Sequence, residues 1–165
     1  MKTLYLVRHA KSSWEFEDLS DHDRPLNKRG RSDAPLIGQE LADRKVELDL
    51  IISSSAVRAL STATLLAKEL EFEPEKIGVQ EELYRIDAES LLLFIQSLPD
   101  EYNRVMLVGH NPTFTEITNQ LSPEKTIANL PTAGVAAFSF DVNYWGQAGP
   151  DNAKLLFLDF PKNYR

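Results

Sequence analysis

TLYLV at Thr3–Val7, followed at once by Arg8-His9-Ala10-Lys11-Ser12, is the stretch on which the fold turns. Its residues are β-favouring and largely apolar, and the run is short enough to be a strand buried on both faces. The same form recurs twice. LDLII at Leu48–Ile52 runs into Ser53-Ser54-Ser55 and then Arg58, and RVMLV at Arg104–Val108 runs into Gly109-His110-Asn111-Pro112. Helical patterns lie between these runs, and strand–helix alternation of this kind predicts an α/β protein, a three-layer α/β/α sandwich with a mainly parallel central sheet. Ligands of such sheets bind beyond the carboxyl ends of the strands. Attention therefore falls on the residues that follow each run.

Working outward, Ala56–Leu70 reads as an amphipathic helix, with a serine of the preceding run as N-cap. A third short strand is expected over Lys76–Val79, and a helix over Ala88–Leu98, closed by Pro99. Asn111 as N-cap, with Pro112 at the first helical position, opens a helix through Leu121. Asn27–Arg44 is expected to be helical with a kink at Pro35, because proline removes an internal hydrogen bond. Gly134–Val142 and Lys154–Phe160 close the chain as an antiparallel pair. The charged segment 14–31 reads as a long surface loop leading into a helix. Within it, Trp14 and Phe16 are read as packing residues and His22 as a surface residue.

Composition narrows the classes of function. The chain has 165 residues, of which 42% are hydrophobic, enough for one core, and no linker or repeat divides it, so a single domain over 1–165 is expected. With 18 basic and 25 acidic residues the net charge is −7, which argues against nucleic acid or an anionic membrane as partner. No apolar run is long enough to cross a bilayer and no charged, apolar leader opens the chain, so a cytoplasmic protein is expected. The absence of cysteine removes disulfides, thiolate metal sites and a cysteine nucleophile.

Only three histidines occur, and two of them, His9 and His110, stand directly beyond predicted strands. Arg8 and Arg58 occupy equivalent places. A lone histidine after a strand is ordinarily structural, and an arginine beside it a surface charge. Recurrence at equivalent topological positions is what gives the group its weight. Two guanidiniums with no nearby carboxylate call for an anion, and their planar forks of donors match phosphate oxygens. Helix N-termini after Ser55 and Asn111 would add free N–H groups. A neutral imidazole can attack phosphorus, and a second, protonated one can donate to the equatorial oxygens. Two histidines without cysteine or His-x-x-x-His spacing do not make a metal site, and no cofactor is expected.

The segment Leu6–Ser12 resembles the histidine phosphatase superfamily, whose first strand ends in Arg-His-Gly or Arg-His-Ala. The later elements agree in order: Arg24-Pro25-Leu26-Asn27 with Gly30, then Ser53–Ala59 followed by Thr62-Ala63, then Val108–Pro112. The combination is most similar to the SixA-type phosphohistidine phosphatases and covers nearly the whole chain. The resemblance implies a phosphoglycerate mutase-like fold and phosphoryl transfer through a phosphohistidine intermediate. It makes His9 the nucleophile, with Arg8, Arg58 and His110 forming the phosphate pocket and Arg24 reaching substrate or phosphate. Larger members place a carboxylic acid after the third strand to protonate the leaving group, and Glu82 is the candidate here.

No long insertion is available to form a cap domain, so an open pocket is expected. That favours a metal-independent phosphatase acting on phosphohistidine carried by a partner protein. A small phosphoester as substrate, a phosphoglycerate mutase-like reaction, and a non-catalytic phosphate-binding module are the alternatives.

Overall fold

The structure, a computed structural model, describes residues 1–165. Six strands form one sheet: β1 (Lys2–Arg8), β2 (Leu50–Ser54), β3 (Gly78–Gln80), β4 (Arg104–Gly109), β5 (Val135–Phe140) and β6 (Ala153–Asp159). Their order is β3-β2-β4-β1-β5-β6; the first four are parallel, while β5 and β6 are antiparallel. Four helices, α1 (Lys28–Asp43), α2 (Val57–Glu69), α3 (Ala88–Gln96) and α4 (Thr113–Leu121), complete the three layers. The expected α/β/α sandwich with a mainly parallel sheet is the fold observed, and no separate cap domain covers it.

Side chains of a strand alternate between faces, so the central strands feed two cores. Leu4 and Leu6 of β1 join Leu107, Phe114, Leu91 and Ile95 on the face covered by α3 and α4. Tyr5 and Val7 join Met106, Ile37, Leu41 and Leu66 on the face covered by α1 and α2. The continuous apolar run of β1 is thus the signature of a strand covered on both sides. No helix is long and apolar enough to cross a membrane.

Several boundaries differ from expectation for local reasons. Pro74 opens a turn of 3-10 helix over Pro74–Lys76, so the third strand starts two residues late, at Gly78. No serine side chain caps α2; Ala56 holds the cap position, and Ser54 Oγ accepts from the Ala56 N–H instead. α1 begins where expected, with the Asn27 side chain accepting from Gly30 N at 2.8 Å, and it runs unbroken through Pro35. α4 begins at Thr113, with Pro112 at the cap and Asn111 one residue further out.

One glycine fixes how α1 meets β1. A Cβ on Gly30 would stand 2.1 Å from the carbonyl oxygen of Lys11, so only glycine lets the first turn of α1 lie on the backbone that follows β1. That same carbonyl accepts from Asn27 N at 3.0 Å.

Candidate active site

The parallel register of β1 and β4 aligns Arg8 with Gly109, so the residues just beyond them emerge side by side. His9 N donates to Gly109 O at 3.0 Å, and the His9 and His110 rings lie 5.2 Å apart between centroids. Together with Arg8 and Arg58 they line a cavity of about 450 Å³. The carboxyl-end rule thus holds, and the sequence-predicted quartet meets in one place.

A carbonyl oxygen fixes the tautomer of His9, and a hydroxyl partners His110. His9 Nδ1 stands 2.7 Å from the carbonyl oxygen of Ala10, which can only accept, so Nδ1 carries the proton. The lone pair is therefore on Nε2, which has no partner within the protein. The backbone at this point is anchored from α2, where Thr62 Oγ1 accepts from Ala10 N at 2.9 Å. His110 Nε2 lies 2.8 Å from Ser54 Oγ. Ser54 Oγ also accepts from Ala56 N, and its own proton is available to Nε2.

Burial favours the neutral form of both rings. It lowers the His9 pKa to about 4, assisted by Arg58, Arg8 and Arg24 and opposed by the hydrogen bond to Ala10. Burial also lowers that of His110 to about 3, with His9 and Arg58 adding to the effect and Asp21 opposing it. The sequence suggests a protonated second imidazole, whereas burial favours a neutral His110, which keeps one ring N–H to donate.

The two arginines differ. Arg8 donates through one terminal nitrogen to Leu130 O at 3.0 Å and makes no ion pair; its buried Nε, like that of Arg58, has no partner. Arg58, 6% exposed, was expected to lack a carboxylate, but it has one. Its terminal nitrogens donate to Asp21 O at 2.6 Å and to Asp21 Oδ2 at 3.0 Å. Asp21 also accepts from Arg24 Nε at 3.1 Å and from the Tyr84 hydroxyl. These bonds, that of Tyr84 foremost, drive its carboxyl far below the usual carboxylate range.

Arg24 is 7% exposed and does line the cavity. It is tied to Ser12 Oγ at 2.7 Å and to Ser13 O at 3.2 Å, and its guanidinium lies 3.6 Å from the centroid of the Trp14 ring. Glu82 does not line it: it is exposed in a turn of 3-10 helix, Glu81–Leu83, that carries Tyr84 and Arg85 toward the pocket in its place. His22 is no isolated surface residue, since its Nε2 meets Ser55 Oγ at 2.8 Å and its ring meets Tyr84 edge-on. Trp14 and Phe16 are exposed and pack into no core. The start of α4 is not open to a ligand either, because Phe114 N donates to His110 O and Thr115 N to Asn111 Oδ1. No three histidine, aspartate or glutamate side chains anywhere in the chain form a metal donor set.

Sequence reasoning passed over Asp21, Tyr84 and the Leu130–Ala133 loop, whose Ala133 N donates to Arg8 O and His9 O. The only advance signal was Asp21 standing three residues before Arg24 in the charged segment.

An α/β/α domain with two neutral imidazoles among arginines at its strand ends has the makings of a phosphoryl-transfer enzyme. The chain belongs to the histidine phosphatase superfamily, whose branch 1 model matches residues 4–91, and it is a phosphatase. An uncharacterised chloroplastic protein of Arabidopsis thaliana is 33% identical over 97% of this chain and 78% of its own length. The structure of SixA from Agrobacterium tumefaciens is 30% identical, covers 97% of this chain and 98% of its own, and superposes with a TM-score of 0.79. That of the protein histidine phosphatase SixA complexed with tungstate, 22% identical, covers 99% of both chains at a TM-score of 0.82 and has the same fold.

Proposed function

We propose that this phosphatase hydrolyses phosphohistidine presented by a partner protein, through a phosphohistidine formed on its own His9. The observation that carries this reading is the His9 ring: Nδ1 is tied to the Ala10 carbonyl, and Nε2 is left as a bare lone pair in an arginine-lined cavity. The likeness to SixA proteins, one of them complexed with the oxyanion tungstate, and the lack of a cap over the pocket point to the same substrate class.

In this mechanism the phosphoryl group enters among Arg8, Arg58 and His110. Arg8 and Arg58 each keep an Nε without a partner, and the guanidinium N–H groups not spent on Leu130 and Asp21 suit its oxygens. The His9 Nε2 lone pair forms a bond to phosphorus as the bond from phosphorus to the substrate imidazole breaks. The leaving nitrogen takes a proton from water. A second water then attacks the phosphorus of phospho-His9, releasing inorganic phosphate, returning the lone pair to Nε2 and giving its surplus proton to solvent. His110 donates its ring N–H to the equatorial oxygens as charge spreads over them. No carboxylic acid is assigned to the leaving group: Glu82 lies outside the cavity, and Asp21 is ionised.

The test compares wild type with His9→Ala on a phosphorylated phosphotransfer domain, in EDTA. The variant is expected to lose turnover, and a phosphoryl group trapped by acid-free quench should appear on wild type alone. Undiminished turnover in the variant would remove the nucleophile, and loss of activity in EDTA would remove metal independence. Turnover of one sugar phosphate far above that of the phosphoprotein would move the assignment to a small phosphoester.

A further inference from the structure

Trp14 has no structural duty that accounts for its size. It is 76% exposed, and the Arg24 guanidinium covers one ring face at 3.6 Å. Its backbone surroundings are nonetheless fixed: Ser13 N donates to Pro25 O at 2.8 Å, Glu15 N donates to Ser13 Oγ, and Ser12 pairs with Leu26. The ring is therefore a held surface, with one face spent and the other open to solvent.

That surface borders the phosphoryl pocket. Trp14 and Tyr84 are the aromatic residues other than histidine in the cavity lining. Tyr84 is already committed, edge-on to His110 and His22 and through its hydroxyl to Asp21. Apart from the two histidines assigned to the phosphoryl group, the remaining wall is formed by Arg, Lys, Ser, Asp, Asn and Thr side chains, which offer hydrogen bonds and charge. A phosphoryl group satisfies the charged part, and Trp14 is the most exposed ring beside it for the group that departs.

We propose that Trp14 is a specificity-determining residue, whose free ring face stacks on a planar leaving group as the phosphoryl group occupies the arginine-lined pocket. Under the function proposed above, which the choice of ring rests on, that group is the imidazole of the substrate phosphohistidine. Stacking of two rings adds modestly to binding beyond the area it covers, and here it also orients the leaving nitrogen opposite His9.

The test is a ratio of kcat/KM values within matched substrate pairs, measured for wild type, Trp14→Ala and Trp14→Phe. One pair is free phosphohistidine against phosphoramidate, which has the same N–P bond and no ring; the other is phenyl phosphate against ethyl phosphate. Because both members of a pair are assayed on one preparation, any loss of folded protein cancels. The planar-over-nonplanar ratio is expected to fall about 3- to 10-fold in Trp14→Ala and to recover in Trp14→Phe. An unchanged ratio in Trp14→Ala, or a Phe variant as poor as the Ala variant, overturns the proposal. A ratio that falls for phenyl phosphate in an enzyme inert toward phosphohistidine upholds Trp14 and rejects the phosphohistidine reading instead.

Discussion

The floor and the rim of the pocket are built on different principles. The floor, Arg8, His9 and His110, is set by main chain: strand register, the His9 N to Gly109 O bond, and Ala133 N donating to the carbonyls of Arg8 and His9. The rim, Trp14, Asp21, Arg24 and Tyr84, is held by side chains gripping one another across loops. Arg58 joins the two, rising from α2 to bond Asp21. A floor fixed by covalent backbone and sheet keeps its geometry as ligands come and go. A rim fixed by side-chain contacts around the half-exposed Asp21 can rearrange, and in the proposed mechanism this is where the arriving phosphoryl group finds an anion already in place. Chemistry belongs on the first and adaptation on the second.

The comparison breaks most visibly if a floor residue proves dispensable. His110→Ala removes the donor that the mechanism aims at the transferring oxygens, while the cavity and His9 remain. Loss of one preorganised donor of this kind costs about 10²–10³-fold in kcat. Steady-state turnover of an aryl phosphate, fitted for kcat and KM separately, should place the loss in kcat. A fall below tenfold would make the ring a wall of the pocket and no more.

A second consequence of the floor concerns acid. His9 is lowered to about 4 and His110 to about 3 in the native protein, against about 6.5 in an unfolded chain. From pH 6.5 down to those values the unfolded chain holds protons that the native rings refuse. Protonation therefore favours unfolding, and stability falls as the pH falls through that window. Each ring contributes at most about 1.4 kcal/mol per pH unit. Urea unfolding at pH 7, 6 and 5 should show the decline, with a shallower slope in His9→Asn. Equal slopes in the two proteins would mean that the buried ring is not what acid attacks.

The same division explains what could be read in advance. TLYLV, LDLII and RVMLV are visible as strands because burial on both faces demands unbroken apolar runs, and the parallel sheet then dictates that Arg8, His9 and His110 share one end. Arg58 follows from the first turn of the helix after β2. Nothing comparable marks the rim. Asp21, His22 and Tyr84 meet through contacts between the charged loop and the turn after β3, and such contacts leave no periodicity. Glu82 and Tyr84 are two residues apart at a 3-10 turn, which has about three residues per turn, so they point to different sides; the resemblance favours the carboxylate, but it is Tyr84 that lines the cavity. Even the edge strand was misplaced by two residues, since a three-residue strand after a proline turn has little pattern to show.

Asp21 offers the finest test of the floor against the rim. Its carboxylate pairs with Arg58 and Arg24, so an entering phosphate meets guanidiniums that are already partly neutralised. Two effects oppose one another in Asp21→Asn. The amide keeps the shape and one acceptor, so some orientation of Arg58 and of the Tyr84 hydroxyl survives, but the charge that repels phosphate is gone. Arg58 is also held by the main-chain carbonyl of residue 21, which the substitution leaves in place, and this tips the balance toward relief of repulsion. The Asp21 side chain is 47% exposed, so water and salt screen the gain. Competitive inhibition by inorganic phosphate should strengthen by about 3- to 10-fold in the variant at low ionic strength, and the difference should shrink as salt is added. Weaker inhibition would show that Asp21 matters chiefly as the group that aims Arg58, which would make this part of the rim an extension of the floor.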